Sequence, residues 1–260
     1  KLFKLFKRNL KKKKLFKKKK LPKNIKMIIK QKQNLFVNCD SKNSIFKNYF
    51  SDGINKDYKS FAFTTILNHK KIENYEANQI FTKFGPIAFL PLSMNKTAIV
   101  FSLNKEEIFN KENDVKDLIR KHNKFYKITS IGKIKKFPLK LFLQKKYFYK
   151  NILSFGDTIH QIHPLAGQGF NMTLRDAKVL NKLIKEKTDL GLQIDNSIFL
   201  KFEKKTKHLN LLFSKSIDLI YEIFKKTENS PRFITKNIFK SINKNNYLKT
   251  FFIRSADEGL

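Results

Sequence analysis

A single cysteine, Cys39, in 260 residues excludes an internal disulfide and any metal site built from several thiolates, and it fits a reducing compartment. Tryptophan is missing altogether, although aromatic residues make up 13% of the chain and nearly all of these are phenylalanine. Together with abundant Lys, Asn and Ile, this skew has the look of codon bias in an AT-rich genome, which discounts arguments from Lys or Phe abundance alone. No apolar run reaches the roughly eighteen residues of a transmembrane helix, and no signal-peptide core is visible. There is no internal repeat. Methionine is absent from the first position, and the chain reads as a fragment or a processed form. Arginine is scarce, at positions 8, 120, 175, 232 and 254 only. That scarcity counts against a dedicated nucleic-acid binder, because arginine is the usual fork for phosphate and base edges.

What is present is a large positive charge, formally +35, on a globular composition with 41% hydrophobic residues. Twelve of the cations lie in the first twenty residues, which carry no acid; elsewhere the lysines are scattered, singly or in pairs. Such a surface suits an anionic bilayer face better than a specific nucleic acid. Within the lysine-rich lead, residues 1–32, Leu2, Phe6 and Leu10 fall at helical spacing. A short basic amphipathic helix is one reading, and a solvated, poorly ordered extension is the other.

Beyond the lead, Asn34 to Cys39 reads as a short buried strand followed by a polar turn, Asp40 to Ser44. Strands are predicted at Phe61–Leu67, Gln79–Phe84, Ile87–Leu90 and Ala98–Leu103, closely spaced with short turns, which argues for an antiparallel sheet. Asn104 caps a predicted helix with Glu106 and Glu107 in its first turn, running to about Asn123. A β pair follows over Lys127 to Phe137, then an apolar strand from Tyr149 to Phe155. A long helix covers about Phe170 to Glu186, with Phe170, Leu174, Ala177, Leu180 and Ile184 on one face. The tail from Ser197 to Leu260 is helical in pattern, with a break at Ser230-Pro231.

The stretch from Asn151 to Ala177 concentrates the chemistry. A buried strand ends at Gly156-Asp157, which puts one carboxylate at the carboxyl edge of a sheet, where ligands of α/β folds sit. A carboxylate there accepts hydrogen bonds from a ribose or ribityl hydroxyl more strongly than a neutral group. Gly167 and Gly169 permit close backbone approach, and they lead into a helix whose free N–H groups suit a phosphate or an electron-rich ring edge. An ordinary strand–loop–helix corner is the plain alternative. His160 and His163 have a spacing that could suggest a metal, but no third ligand is apparent, and loop structure explains both better. His69, His122 and His208 read as surface residues, and Cys39 as a small apolar side chain packed on its strand.

Gly156-Asp157, His160, His163-Pro164, Gly167-Gln168-Gly169, Asn171 and Asp176-Ala177 resemble the second FAD-contacting motif of the class A flavoprotein aromatic hydroxylases. The wording from His163 to Gly169 is closest to the ubiquinone-biosynthesis branch, which hydroxylates polyprenylated phenols. The resemblance covers most of residues 34–260, including Gly85 to Leu92, which is similar to the family's substrate-domain strand near the flavin. It implies a mixed α/β (α+β) fold with a partial, Rossmann-like FAD/NAD(P)-binding domain, discontinuous over 33–58 and 138–190. An antiparallel substrate-binding sheet over 59–137 would be inserted in it, with a helical region over 191–260. It further implies that Gly156 and Asp157 meet an FAD ribose hydroxyl and that Pro164, Gly167 and Gly169 line the isoalloxazine. Phe170, Asn171 and Met172 would open the helix facing the flavin. NAD(P)H would reduce FAD, and O₂ would add to give a flavin hydroperoxide that hydroxylates a lipid-borne phenol. The sequence singles out no proton-transfer catalyst. Implied partners are an anionic membrane, contacted peripherally from the cytoplasmic side, and other ubiquinone-biosynthesis proteins.

Two departures stand out. Asp40-Ser41-Lys42-Asn43-Ser44 is similar to the family's Asp-Gly-x-x-Ser turn, with Asp40 a candidate contact to FAD or the nicotinamide. Ser41 replaces the glycine, however, and Lys47 stands where an arginine would fall. An ordinary Asx turn is the alternative for Asp40. No Gly-x-Gly-x-x-Gly run precedes Asp40 to cradle a pyrophosphate. A non-catalytic remnant unable to hold FAD and a basic membrane- or nucleic-acid-binding protein therefore stand as alternative readings.

Overall fold

The computed structural model describes residues 35–103, 112–164 and 168–227, together with Arg8. The predicted helix in the lysine-rich lead, the cap at Asn104 with Glu106 and Glu107, the break at Ser230-Pro231, and Gly167 lie outside the described residues.

Strand β1, Phe36–Asn38, runs parallel to β9, Ile152–Ser154, with Val37 opposite Leu153, and β8, Phe148–Tyr149, pairs antiparallel on the far side of β9. The apolar run at 149–155 is thus a tight β8–β9 hairpin rather than one strand: Lys150 turns the chain with φ 52, and only the second arm reaches the site. The expected polar turn runs over residues 40–43 and leads into a short helix, α1, Ser44–Tyr49. It is capped by Asn43, whose Oδ1 accepts from the Phe46 N–H at 2.9 Å.

A larger sheet holds β2 (Gly53–His69), β3 (Asn78–Thr82), β4 (Gly85–Ser93), β5 (Lys96–Leu103), β6 (Ile128–Ile131), β7 (Lys135–Gln144) and β10 (His160–Gln161). The spatial order is β10-β7-β2-β5-β4-β3, with β6 also paired to β2, and every pairing is antiparallel. The expected pair over 127–137 is two strands that each pair with β2 and not with one another. β2 begins eight residues before the predicted strand, because Lys56, Asp57 and Lys59 interrupt its apolar pattern. β2 and β7 also run through residues 58–59 and 137–138, so the sequence-drawn boundaries fall inside strands.

One face of this sheet buries Phe63, Leu67, Ile87, Phe89, Ile99 and Phe101 against Val115 and Ile119 of α2, Glu112–His122. The opposite face packs Tyr58, Ala62, Leu139 and Leu141 against Tyr221 of α4, Ser197–Thr227. A third cluster seats Phe199 and Phe202 of α4 on Leu153, Ile159 and Leu183, the last from α3, Gln168–Asp189. Each fully buried Phe contributes roughly 1.5–3 kcal/mol, so apolar contact is what holds α4 across both sheets.

Three histidine and cysteine expectations change. His69 is buried, with Nε2 3.0 Å from Thr97 Oγ1 and Nδ1 2.8 Å from the Lys70 carbonyl oxygen, because β2 carries it into the sheet's end. His122 is half-buried, whereas His208 is exposed as expected. Cys39 is exposed, since β1 ends one residue before it.

Candidate functional site

The parallel pairing of β1 with β9 brings two chain segments to one carboxyl edge: Asn38-Cys39-Asp40 and Ser154-Phe155-Gly156-Asp157. The Phe155 N–H donates to the Asn38 carbonyl at 2.9 Å. Thr158 Oγ1 donates to the same carbonyl at 3.1 Å and accepts from Ser154 Oγ at 2.7 Å, so this corner is knotted by buried hydroxyls. Gly156 takes φ 70, which a side chain at this turn would adopt only under strain, and a Cβ there would lie 3.6 Å from Thr173 in the early turns of α3.

Asp157, next in the chain, is exposed at this edge. Partial desolvation of the Cys39 thiol, whose residue is exposed overall, and then the nearby Asp157 charge raise its pKa above the ordinary value. Asp40 is exposed as well, and its Oδ1 accepts from the Lys42 N–H at 2.8 Å, which makes it an Asx turn in this structure. Ser41 is not among the positive-φ residues, so replacing the family's glycine carries no backbone strain. Lys47 is exposed in the last turn of α1.

Helix α3 opens beside the Gly156–Thr158 turn. By helix geometry the first-turn N–H groups of Gln168, Gly169 and Phe170 have no acceptor within the helix. Asn171 donates from Nδ2 to Gln168 Oε1 at 3.3 Å. Met172 differs from its expected role: its side chain is fully buried on Phe213 and Ile217, and its N–H belongs to the helical ladder. The predicted apolar face of this helix holds at its far end, where Leu180 and Ile184 pack against the cluster around Leu153 and Phe202, but not at its start. Phe170 and Leu174 are 57% and 46% exposed, while Met172, Arg175, Asp176 and Leu183 form the buried stripe against α4. Pro164 is half-buried in the loop before the helix.

The two histidines meet different neighbours. His160 Nε2 lies 3.0 Å from Asp176 Oδ2; Arg175 Nη2 donates to Asp176 Oδ1 at 3.0 Å, and Asn210 Nδ2 to Asp176 Oδ2 at 3.0 Å. Arg175 also donates to Asn210 Oδ1, and Asn210 Nδ2 reaches Tyr147 OH at 3.2 Å. Burial holds the Tyr147 phenol well above its ordinary pKa. Asp176 is thus a sealed hub tying β10, α3 and α4 together, in contrast to exposed Asp157.

His163 is instead stacked on Tyr221, with ring centroids 4.3 Å apart, and set edge-on to Tyr58 at 5.4 Å. Tyr58 OH donates to Asp218 Oδ1 at 2.8 Å, and Lys56 Nζ bridges Asp218 and Glu222 at 2.9 Å each. Burial, reinforced by Asp218, drives the Tyr58 phenol far upward, so it remains a donor. Burial lowers the His163 pKa to about 4, leaving a neutral imidazole.

Sequence reasoning missed Tyr58, Tyr147, Asn210, Asp218 and Tyr221, because each acts through partners far away in the chain. The sole local hint was the polar interruption in β2, which the structure shows as a bulge between Asp57 and Ser60 with Lys59 at φ 49. Among the described residues, no group of three or more His, Cys, Asp or Glu side chains could hold a metal ion.

With this geometry in view, comparison with known proteins is informative. The family described as squalene epoxidase matches residues 32–249. The ubiquinone biosynthesis monooxygenase COQ6, mitochondrial, of Dictyostelium discoideum is 29% identical over 191 residues, covering 58% of this chain and 38% of that protein. The chain thus spans well under half the length of that relative. Among solved structures, p-nitrophenol 4-monooxygenase PnpA from Pseudomonas putida DLL-E4 superposes with a TM-score of 0.67 at 13% identity, over 86% of this chain and 59% of that one. Klebsiella pneumoniae HpxO complexed with FAD and uric acid gives 0.61 at 10%, over 86% and 59%. These likenesses establish the mixed α/β fold with its antiparallel sheet.

Proposed function

The chain belongs to the squalene epoxidase family, and on that premise we propose that this protein is an FAD-dependent monooxygenase acting in ubiquinone biosynthesis. Its substrate is the aromatic ring of a polyprenylated phenol, with NAD(P)H and O₂ as co-substrates. The carrying observation is the corner where β1 and β9 end together: exposed Asp157 follows a positive-φ glycine beside the N-terminus of α3.

These residues fit FAD. Asp157 offers a carboxylate to a ribose hydroxyl, and the Gln168, Gly169 and Phe170 N–H groups suit the electron-rich edge of the ring. Bound FAD would supply the reductive activation of O₂. The protein's own part is to bind and orient. Phe170 and Leu174 present apolar surface beside the helix N-terminus, which excludes water from a ring seated there. The Asp176 hub fixes the angle between β10 and the helix. Asp40 contributes as a secondary contact after release of its Asx turn.

A lipid-borne substrate is served by peripheral contact with an anionic membrane from the cytoplasmic side. The outer face of α4 supports this part of the proposal, since Lys201, Lys204, Lys205 and Lys215 are interspersed there with exposed Leu200, Leu211, Leu212 and Leu219. Among the described residues no helix is long and apolar enough to cross a membrane. Assembly with other ubiquinone-biosynthesis proteins belongs to the same proposal.

The test is to purify the full gene product, record its flavin absorbance, and follow NAD(P)H oxidation with and without a polyprenylphenol. Retained flavin and oxidation stimulated by the phenol, with a hydroxylated product by mass spectrometry, are the expected results. A protein that binds no flavin would overturn the proposal.

A further inference from the structure

His163 is completely buried, yet among the described residues neither of its ring nitrogens has a hydrogen-bond partner. Buried imidazole nitrogens are ordinarily satisfied, and a neutral ring with both a donor and a lone pair unused is a costly arrangement. The surroundings do not answer it. The Tyr58 hydroxyl is committed to Asp218, and the Tyr221 hydroxyl sits 3.2 Å from Ser60 Oγ, so both tyrosines meet His163 through their ring faces and edges.

The ring is also held firmly in place. The β2 bulge at Asp57–Ser60 puts Lys59 outside and turns Tyr58 inward beneath α4. Lys56 locks Asp218 and Glu222 of α4 over it. The two tyrosines that hold the imidazole belong to an apolar cluster on the sheet face, with Ala62, Leu139 and Leu141 buried in it and Val100 and Ile162 packed against it. Among the described residues two more buried polar atoms near these positions in the chain lack partners, His160 Nδ1 in β10 and Ser214 Oγ one turn beyond Asn210 on α4.

From this geometry we infer that His163 is a substrate-binding residue, one ring nitrogen of which hydrogen-bonds the hydroxyl of a neutral apolar molecule lying against the sheet face. This rests on the proposed function, in which that molecule is the phenol. An anionic ligand is disfavoured, because the site suppresses the imidazolium that would pair with it and commits Lys56 to its own acids. A hydroxyl both donates and accepts, and so matches an unprotonated imidazole offering one N–H and one lone pair.

The experiment uses the full-chain protein with ¹⁵N-labelled histidine, assigned with His163→Gln. Ring ¹⁵N shifts are followed on addition of geranylphenol, of geranylbenzene, which lacks the hydroxyl, and of FAD. Geranylphenol moves the His163 nitrogens saturably and geranylbenzene does not. In parallel binding titrations, His163→Phe weakens geranylphenol at least tenfold while leaving geranylbenzene unchanged, and His163→Gln, which keeps a donor and an acceptor, restores much of the loss. Equal response to both probes, no response to geranylphenol, or a shift caused by FAD alone overturns the inference; the last assigns the nitrogens to the flavin edge. If His163→Phe fails to fold, the wild-type shifts decide. Flavin retention separates the two proposals: geranylphenol shifts without FAD binding sink the monooxygenase reading alone, and FAD binding without phenol shifts sinks this inference alone.

Discussion

His160, in β10, and His163, in the loop that follows, lie three residues apart and are both buried, yet the regions around them are built on opposite lines. Around His160 the polar groups close on each other: Asp176 gathers His160, Arg175 and Asn210, and Tyr147 extends the set. Around His163 the polar groups close on each other without including the imidazole. The first region is a structural hub that fixes α3 on α4. The second is a rigid aromatic frame holding a polar ring open. Burial alone does not distinguish them; the partner list does.

The comparison can be broken from its most sensitive end. Asp176→Ala leaves Arg175 and His160 without their buried partner and is expected to cost about 3–5 kcal/mol, as losses from buried ion pairs do. Urea unfolding measures this, and a loss under 1 kcal/mol would mean that the hub is not a hub. Next comes the pH dependence of His163. Its folded pKa, about 4, lies below the unfolded value, so the unfolded chain binds the extra proton between roughly pH 6.5 and 4. Stability is therefore full above the unfolded pKa and falls as pH drops toward 4, by on the order of 3 kcal/mol at most. Comparing the unfolding midpoints of wild type and His163→Phe at pH 7.5 and 4.5 isolates this part, which should vanish in the variant. Smaller still is Lys56→Ala. Its ion pairs are partly exposed, so roughly 0.2–1 kcal/mol is expected. A double-mutant cycle with Asp218→Asn checks that these charges orient Tyr58 more than they stabilise the fold.

The same contrast explains what the sequence could reveal. The strand ending at Gly156-Asp157, the helix after Gly169, and the antiparallel strands were legible because each rests on local pattern. The carboxyl edge itself was inferred from one strand, and its partner β1 was read separately, so their parallel pairing at Asn38 and Ser154 was new. Which residues the start of α3 buries was not legible. Phe170 and Leu174 carry the same apolar signal as Met172, and only α4 decides which of them is covered. The hubs were hidden for a similar reason. Asn210 meets Asp176 across 34 residues, and Asp218 meets Tyr58 across 160, distances at which no spacing rule applies. Cys39 and His69 were misplaced by differences of one and two residues in where strands end, which amphipathic pattern does not resolve.

The exposed carboxylate of Asp157 and the sealed one of Asp176 carry the central claim, that the corner after β9 is the flavin-facing edge. Its most direct test is FAD titration of the full gene product, followed by flavin fluorescence, for wild type, Asp157→Ala and Asp40→Ala with folding verified by circular dichroism. The account predicts unchanged folding and at least a tenfold weaker FAD affinity for Asp157→Ala, with a smaller loss for Asp40→Ala. Wild-type affinity in Asp157→Ala would contradict it.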